Sequence, residues 1–387
     1  MDKNGRLESL DALRGFDMLM IMGFGGIVIN LCVLCGWGGD CWLAQQFRHV
    51  EWHGLRFQDT IFPLFLFMAG VSWPFSYAKQ VSRGATRGQI VRKCVKRAAL
   101  LCLLGLIYSG LLNGNFRVGN VLTRIGLAWM CGAFLYMGCR TRTLVVLALA
   151  LPIAHWLLLW FVPAPDALTV VVPEKMADTV MSFGTGPYSI VGNLSGWVDR
   201  HFIPGVLEPY TGVADNQSAL GLIPAVGTAL LGILAGKFIM ETRATLPDAK
   251  RVLLMLAAAA GLAGLGLLIA NGFGEMSMPI NKKLWNAPFV FVVGGYSLAM
   301  LAIFHWIVDV KGYKRWTFFF RVIGMNSITI YIAQRFIPFS TIARNIFGGV
   351  AGLLPKAGGD LLISVVHMLI CWLFLLFLYR KNVFLRV

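Results

Sequence analysis

Ten long apolar runs constrain this sequence more than any other feature. They fall near 14–36, 57–78, 97–113, 120–139, 143–163, 219–240, 251–272, 286–308, 317–336 and 360–379 of a 387-residue chain. About 20 apolar residues in a helix cross the roughly 30 Å hydrocarbon core of a bilayer. No water there can satisfy a bare backbone, so such runs cross as helices. The sequence therefore predicts an all-α, polytopic bundle of about ten transmembrane helices. It reads as one domain over 1–387, with a Pro- and Gly-bearing segment at about 164–218 that caps one side. Charged residues make up 13% of the chain, against about 25% in a soluble domain.

The formal charge of +16 does not point to nucleic acid, because the basic residues sit in short clusters between apolar runs. They read as topology determinants. With a cytoplasmic N-terminus, the inner segments hold Lys3, Arg6 and Arg14; Lys79, Arg83, Arg87, Arg92, Lys93, Lys96 and Arg97; Arg140 and Arg142; Lys237, Arg243, Lys250 and Arg251; Lys311, Lys314, Arg315 and Arg321; and Arg380, Lys381 and Arg386. These are 23 of the 34 Lys and Arg residues. Every inner segment is basic, so both termini are placed in the cytoplasm and 164–218 outside. The polar start leads straight into an apolar run with no small-residue cleavage site, which reads as no cleavable signal peptide. A bacterial inner membrane is the expected location, with membrane lipid as the surrounding partner and a homodimer left open.

"FRHVEWHGLRFQDTIFPLFLF" (47–67) gathers titratable groups at the outer mouth of the second span. His49 and His53 are four apart and would share a face if the stretch were helical. A metal is not expected, since no HExxH pattern or third ligand accompanies the pair. Asp59 lies one turn before Pro63, which frees its carbonyl; such helix breaks are tolerated at membrane depth where they line a cavity. Histidine titrates near neutrality and serves as a general base or a nucleophile. His49, Asp59 and Glu51 are the catalytic candidates, with either carboxylate available to orient the imidazole. Elsewhere Arg14 and Asp17 are three apart and so placed to pair. Arg124 lies deep enough in the fourth span to need a partner. Asn326 and Ser327 in the ninth span suit helix–helix hydrogen bonds as well as a ligand. Cys32, Cys35 and Cys41 cluster after the first run, as packing residues or as a disulfide in an oxidising compartment.

"RHVEWHGLRFQDTIFPLFLFMAGVS" resembles the core signature of the heparan-alpha-glucosaminide N-acetyltransferase family and its bacterial DUF5009-type relatives. "SLDALRGFDM", "GNVLTRIGLAW", "NQSALGLIPAVGTALLGILAGK", "PINKKLWNAPFV" and "VDVKGYKRWTFFFRVIGMNSITIY" are similar to further family signatures in the same order. The resemblance implies a transmembrane acyltransferase that moves acetyl from cytoplasmic acetyl-CoA to a terminal glucosamine amine across the membrane. It places the family histidine on His49 and the family aspartate on Asp59. His53 falls at a variable position, and Asn30 is a stand-in for a family asparagine. Arg14, Arg97, Arg124, Asn326 and Ser327 are the candidates for holding acetyl-CoA; Arg124 is equally a candidate for binding the sugar or a developing oxyanion. The acceptor expected is an amino sugar or glycan. The competing class is a transporter or flippase, which would use the same buried charges as a substrate path; its hallmark of inverted halves is not seen.

Overall fold

The computed structural model describes residues 7–114, 116–210 and 212–385. Lys3, Arg6 and Arg386 of the inner basic set lie outside them. In chain order the helices are α1 (Glu8–Leu19), α2 (Gly25–Leu34), α3 (Trp42–Gln46), α4 (Phe57–Ser82), α5 (Arg87–Tyr108), α6 (Val121–Gly138), α7 (Thr141–Phe161) and α8 (Ala177–Met181). They continue with α9 (Leu194–Phe202), α10 (Leu222–Thr242), α11 (Asp248–Asn271), α12 (Ala287–Phe304), α13 (Thr317–Gly324), α14 (Ser327–Phe336), α15 (Phe339–Gly352) and α16 (Lys356–Arg380). A two-residue antiparallel hairpin, Pro209–Tyr210 with Ala214–Asp215, is the only sheet among the described residues.

This is an all-α polytopic membrane protein. Among the described residues, eight helical segments are long and apolar enough to cross a bilayer: 8–34, 57–82, 121–138, 141–161, 222–242, 248–271, 287–310 and 356–380. Val365, Leu369, Leu373 and Phe377 are exposed at four-residue spacing along α16. One apolar helix face left open in this way suits acyl chains as its solvent.

Two of the ten expected spans differ. The run at 97–113 lies in α5, whose first half carries Arg87, Arg92, Lys93, Lys96 and Arg97; its start is fixed by a capping box between Thr86 and Gln89. The helix ends at Tyr108, and Gly110 turns the chain at φ 103°. The run at 317–336 is two helices, because Asn326 leaves helical geometry at φ −124°, ψ 30°. The first span is kinked as well: Gly23 sits at φ 110° inside a π turn, a conformation that favours glycine.

The chain divides into two compact units. The first comprises 1–50, 56–61 and 300–386. Its helices α1 and α13 approach through glycines: a Cβ on Gly15 would overlap the Phe320 carbonyl, and one on Gly324 the Asp11 carbonyl. Asn30 on α2 donates to Ser364 Oγ (2.9 Å) and the Asp360 carbonyl (3.2 Å) on α16. That residue thus ties two helices.

The second unit comprises 51–55 and 62–299. It includes the 164–218 segment, whose Ile190, Val191, Asn193 and Val213 are buried. Within it α4 and α10 meet backbone to backbone, with Gly70 against the Ala229 carbonyl, Gly232 against Phe67 and Gly236 against Val71. Small residues at such crossings let helices come close enough for dispersion to hold them without a hydrophobic drive. Gly232→Leu is expected to lose about 1–3 kcal/mol or more through overpacking. A lowered unfolding temperature in detergent checks this; an unchanged one contradicts the packing.

Candidate functional site

The segment 48–56 is not helical, so His49 and His53 do not share a helix face. What shapes the segment is a lattice of bonds in the first unit. Phe57 N–H donates to Gln46 Oε1 (3.2 Å), while Arg56 Nη1 donates to the His49 carbonyl (3.2 Å) and Arg56 Nη2 to Gln45 Oε1 (3.4 Å). Asp59 stands in the first turn of α4. Its Oδ2 accepts from the Arg56 N–H (3.2 Å) and the Val50 N–H (3.5 Å). The first bond is the return half of a capping box, and a carboxylate there also meets the positive end of the helix dipole.

The other oxygen of the same carboxylate, Oδ1, lies 2.7 Å from His49 Nδ1. Asp59 is 1% exposed, whereas the His49 side chain is 57% exposed. A buried carboxylate accepting from Nδ1–H fixes the tautomer with the lone pair on Nε2, at the ring edge away from Asp59. One acidic side chain thus closes the helix end and sets the imidazole. Chemically the pair is a base whose orientation is fixed by a third group.

The structure does not place Glu51 in this pair. It lies in the second unit with an exposed side chain; its carbonyl accepts from Tyr210 Oη (2.8 Å) and from Lys283 Nζ. His53, also in the second unit, has Nδ1 3.5 Å from Asn281 Nδ2 and its ring edge-on to Phe183. Burial holds its pKa down at about 4, so it is neutral at physiological pH.

The other candidates are dispersed. Arg14 pairs with Asp11 (3.6 Å), and Asp17 is buried with neither carboxylate oxygen hydrogen-bonded among the described residues. The expected Arg14–Asp17 pair is therefore not formed. Asn326 donates to the Val383 carbonyl (3.2 Å) and accepts from Thr329 Oγ1 (3.2 Å), and Ser327 donates to the Gly324 carbonyl (2.8 Å). Both serve the break between α13 and α14. In the second unit Arg97 lies over the Trp129 ring, 4.1 Å from its centroid. Arg124 donates to the Ser218 carbonyl (2.8 Å) and lies 5.1 Å from the Trp285 centroid. All eight cysteines are free thiols; Cys41 Sγ accepts from the Ala44 N–H at 3.5 Å and caps α3.

Comparison with known proteins decides between the family resemblance and a chance pattern. A family described as "Domain of unknown function (DUF5009)" matches residues 6–111. Human heparan-alpha-glucosaminide N-acetyltransferase is 25% identical over 431 aligned residues, covering 99% of this chain and 60% of that protein. The chain is similar to these acetyltransferases along most of its length. The mouse protein of the same name is 28% identical over 385 residues, covering 86% of this chain and 55% of its own length. The chain thus spans less than two thirds of the length of either relative. The DUF5009 match contains both His49 and Asp59.

The sequence reading did not single out Asp199, Asp215 and Gln217, which surround Arg124. Asp199 is 1% exposed. Burial pushes its carboxyl up to about 7, partly offset by the Ala219 N–H bond at 2.8 Å. Trp285 was also passed over. It is fully buried at φ 53°, a strained position for a bulky residue. Its Nε1 donates to Thr228 Oγ1 (3.1 Å). Besides Arg124 itself, a signal lay in the run "NQSALG", which packs three hydrogen-bonding side chains immediately before an apolar span.

Proposed function

We propose that the chain is a transmembrane N-acetyltransferase, which takes acetyl from cytoplasmic acetyl-CoA and delivers it to the amine of a terminal glucosamine or related amino sugar on the outer side. The observation that carries this reading is the 2.7 Å pair between an exposed imidazole and a buried carboxylate, within a chain related to N-acetyltransferases.

His49 Nε2 takes the proton from the acceptor nitrogen as that nitrogen attacks the thioester carbonyl. The amide C–N bond forms, the C–S bond breaks, and the proton passes to the leaving thiolate of CoA. In a route through an acetylated imidazole, Nε2 attacks the thioester, the C–S bond breaks and CoA leaves as thiolate; the amine then attacks the acetyl carbon, the C–Nε2 bond breaks, and the amine's proton ends on the thiolate. Both routes require Nε2 unprotonated and aimed by Asp59. Arg14, Arg97, Asn326 and Ser327 stay candidates for the nucleotide end of the donor.

The test is release of free CoA from acetyl-CoA by detergent-purified protein, with and without glucosamine. Acceptor-dependent release supports the reading, and none with any amino sugar overturns it. A transporter would bind or move the sugar and leave the thioester intact. Rapid quenching with labelled acetyl-CoA separates the two routes: label on the protein before acceptor is added marks the acetyl-imidazole.

A further inference from the structure

The chain between the first span and His49 folds back along the helix it has just left. α2 ends at Leu34, and Gly36 (φ 77°) and Gly38 (φ 82°) turn the backbone through the left-handed region that favours glycine. The Trp37 N–H donates to the Cys32 carbonyl (2.9 Å) and the Gly36 N–H to the Val33 carbonyl (3.0 Å). Beyond the turn the chain runs beside α2 in the opposite sense. Gly39 stands against the end of α2, since a Cβ there would lie 3.6 Å from Val33 Cγ2. Phe47 stands against its start: the Phe47 and Phe24 rings are 6.1 Å apart, and a Cβ on Gly25 would lie 3.2 Å from Phe47 Cβ.

This antiparallel return brings two sulfurs together. Cys32 lies in the last turn of α2 and Cys41 at the head of α3, and their thiols are hydrogen-bonded to each other. A disulfide needs two cysteines on backbone segments close enough for the sulfurs to meet, and the return supplies that. Cys32 is 2% exposed, Cys41 half-buried and Cys35 exposed. Cys41 Sγ also accepts from the Ala44 N–H (3.5 Å), a bond that holds its thiol below the ordinary cysteine range. The thiolate is the form that attacks a disulfide. One sulfur is thus open to an oxidant, and a second waits behind it.

α3 is only five residues long, and a helix that short is marginal by itself. Two bonds that shape the loop at His49 nevertheless start from it, those of Gln45 Oε1 with Arg56 Nη2 and of Gln46 Oε1 with the Phe57 N–H. Trp37 and Trp42 flank Cys41 and are exposed; such rings gather at the membrane–water interface, within reach of a water-soluble oxidant.

We propose that Cys32 and Cys41 are a redox-active thiol pair that closes to a disulfide and staples α3 to the end of α2. The oxidant is of the disulfide class, R–S–S–R. The Cys41 thiolate attacks one of its sulfurs, the R–S–S–R bond breaks, and the RS⁻ released takes up the proton that Cys41 gave. The Cys32 sulfur then attacks the Cys41 sulfur, the mixed disulfide breaks, and the second RS⁻ takes up the Cys32 proton. The two cysteines are oxidised and the oxidant is reduced to two RSH. The bond closes a loop of ten residues, 32–41, and removes the freedom of α3 to part from α2. Nothing in this chemistry depends on acetyl transfer.

The experiment treats detergent-purified full-length protein with oxidised glutathione, alkylates it with N-ethylmaleimide and digests it without reduction. Chymotrypsin cuts after Leu34 and Trp37 and so separates the three cysteines. Mass spectrometry is expected to find the Cys32 and Cys41 peptides joined, Cys35 alkylated, and the joined peptides released by dithiothreitol. Cys35→Ala is expected to keep the link. Cys32→Ala is expected to stop at a mixed disulfide of glutathione on Cys41. Each variant is required to elute as a single species. Cys32 and Cys41 both alkylated after oxidation, or a link that runs through Cys35, would overturn the pairing.

The staple is read separately by amide hydrogen exchange. Exchange in 42–46 is expected to slow about tenfold or more in the oxidised protein relative to the reduced one. Equal exchange in the two forms would overturn the staple even where the bond forms.

Discussion

His49→Ala is expected to lower acetyl transfer by about 10²–10⁴-fold, the range general acid–base catalysis contributes, while the protein keeps its unfolding temperature. The asymmetry follows from position. The imidazole is 57% exposed, so its removal opens no core cavity. It bonds Asp59, whose second oxygen stays occupied by two backbone N–H groups. A purely structural histidine would show the reverse: altered stability with modest loss of rate. The measurement is kcat for CoA release beside thermal unfolding in the same detergent. Activity within a few-fold of the unaltered protein removes His49 from the chemistry.

Asp59→Asn is expected to produce a loss of similar size by another path. The Asn amide can present N–H where Asp59 Oδ1 now accepts, so His49 Nδ1 becomes the acceptor and the proton moves to Nε2. A base whose lone pair faces the wrong way does not take the acceptor's proton; in serine-protease triads the same exchange costs about 10⁴ in kcat. An Asn oxygen can still accept from the Arg56 N–H, so the start of α4 survives. Asp59→Ala removes that bond too, and the unfilled cap adds about 0.5–2 kcal/mol of destabilisation. In the proposed mechanism His49 and Asp59 act as one unit, so the double variant His49→Ala, Asp59→Asn is expected to be about as slow as His49→Ala alone. Losses that multiply instead would mean that Asp59 acts independently of the imidazole.

Hydropathy carried most of the fold, because bilayer thickness sets a length that short-range pattern can register. It missed the break inside 317–336. That break depends on one non-helical residue, Asn326, between two apolar turns, and a window average cannot see it. The end of α5 was misplaced for the complementary reason: apolar residues continue to Leu112, but Gly110 has already turned the chain.

At the site, the His49–Asp59 pair was within reach of the sequence because only ten residues separate them; the helix break expected at Pro63 is not present, since α4 runs through it. The Glu51 alternative was undecidable from spacing, since it required knowing that the stretch is an extended loop. The cluster around Arg124 draws on residues up to about a hundred positions apart. The lone arginine signalled that a partner was needed, but only the folded 164–218 segment shows Asp199 and Gln217 beside it. Arg14 and Asp17 had helical spacing for a pair, yet Asp11 offers the same spacing on the other side, and the sequence holds no preference between them.

The most direct test of the account is sided transfer. Protein is reconstituted into vesicles with glucosamine trapped inside and membrane-impermeant labelled acetyl-CoA outside. The account predicts labelled N-acetylglucosamine in the lumen and free CoA outside, in equal amounts, and neither with His49→Ala. Glucosamine leaving the vesicles without loss of the thioester, or product formed only when both substrates share one side, would contradict it.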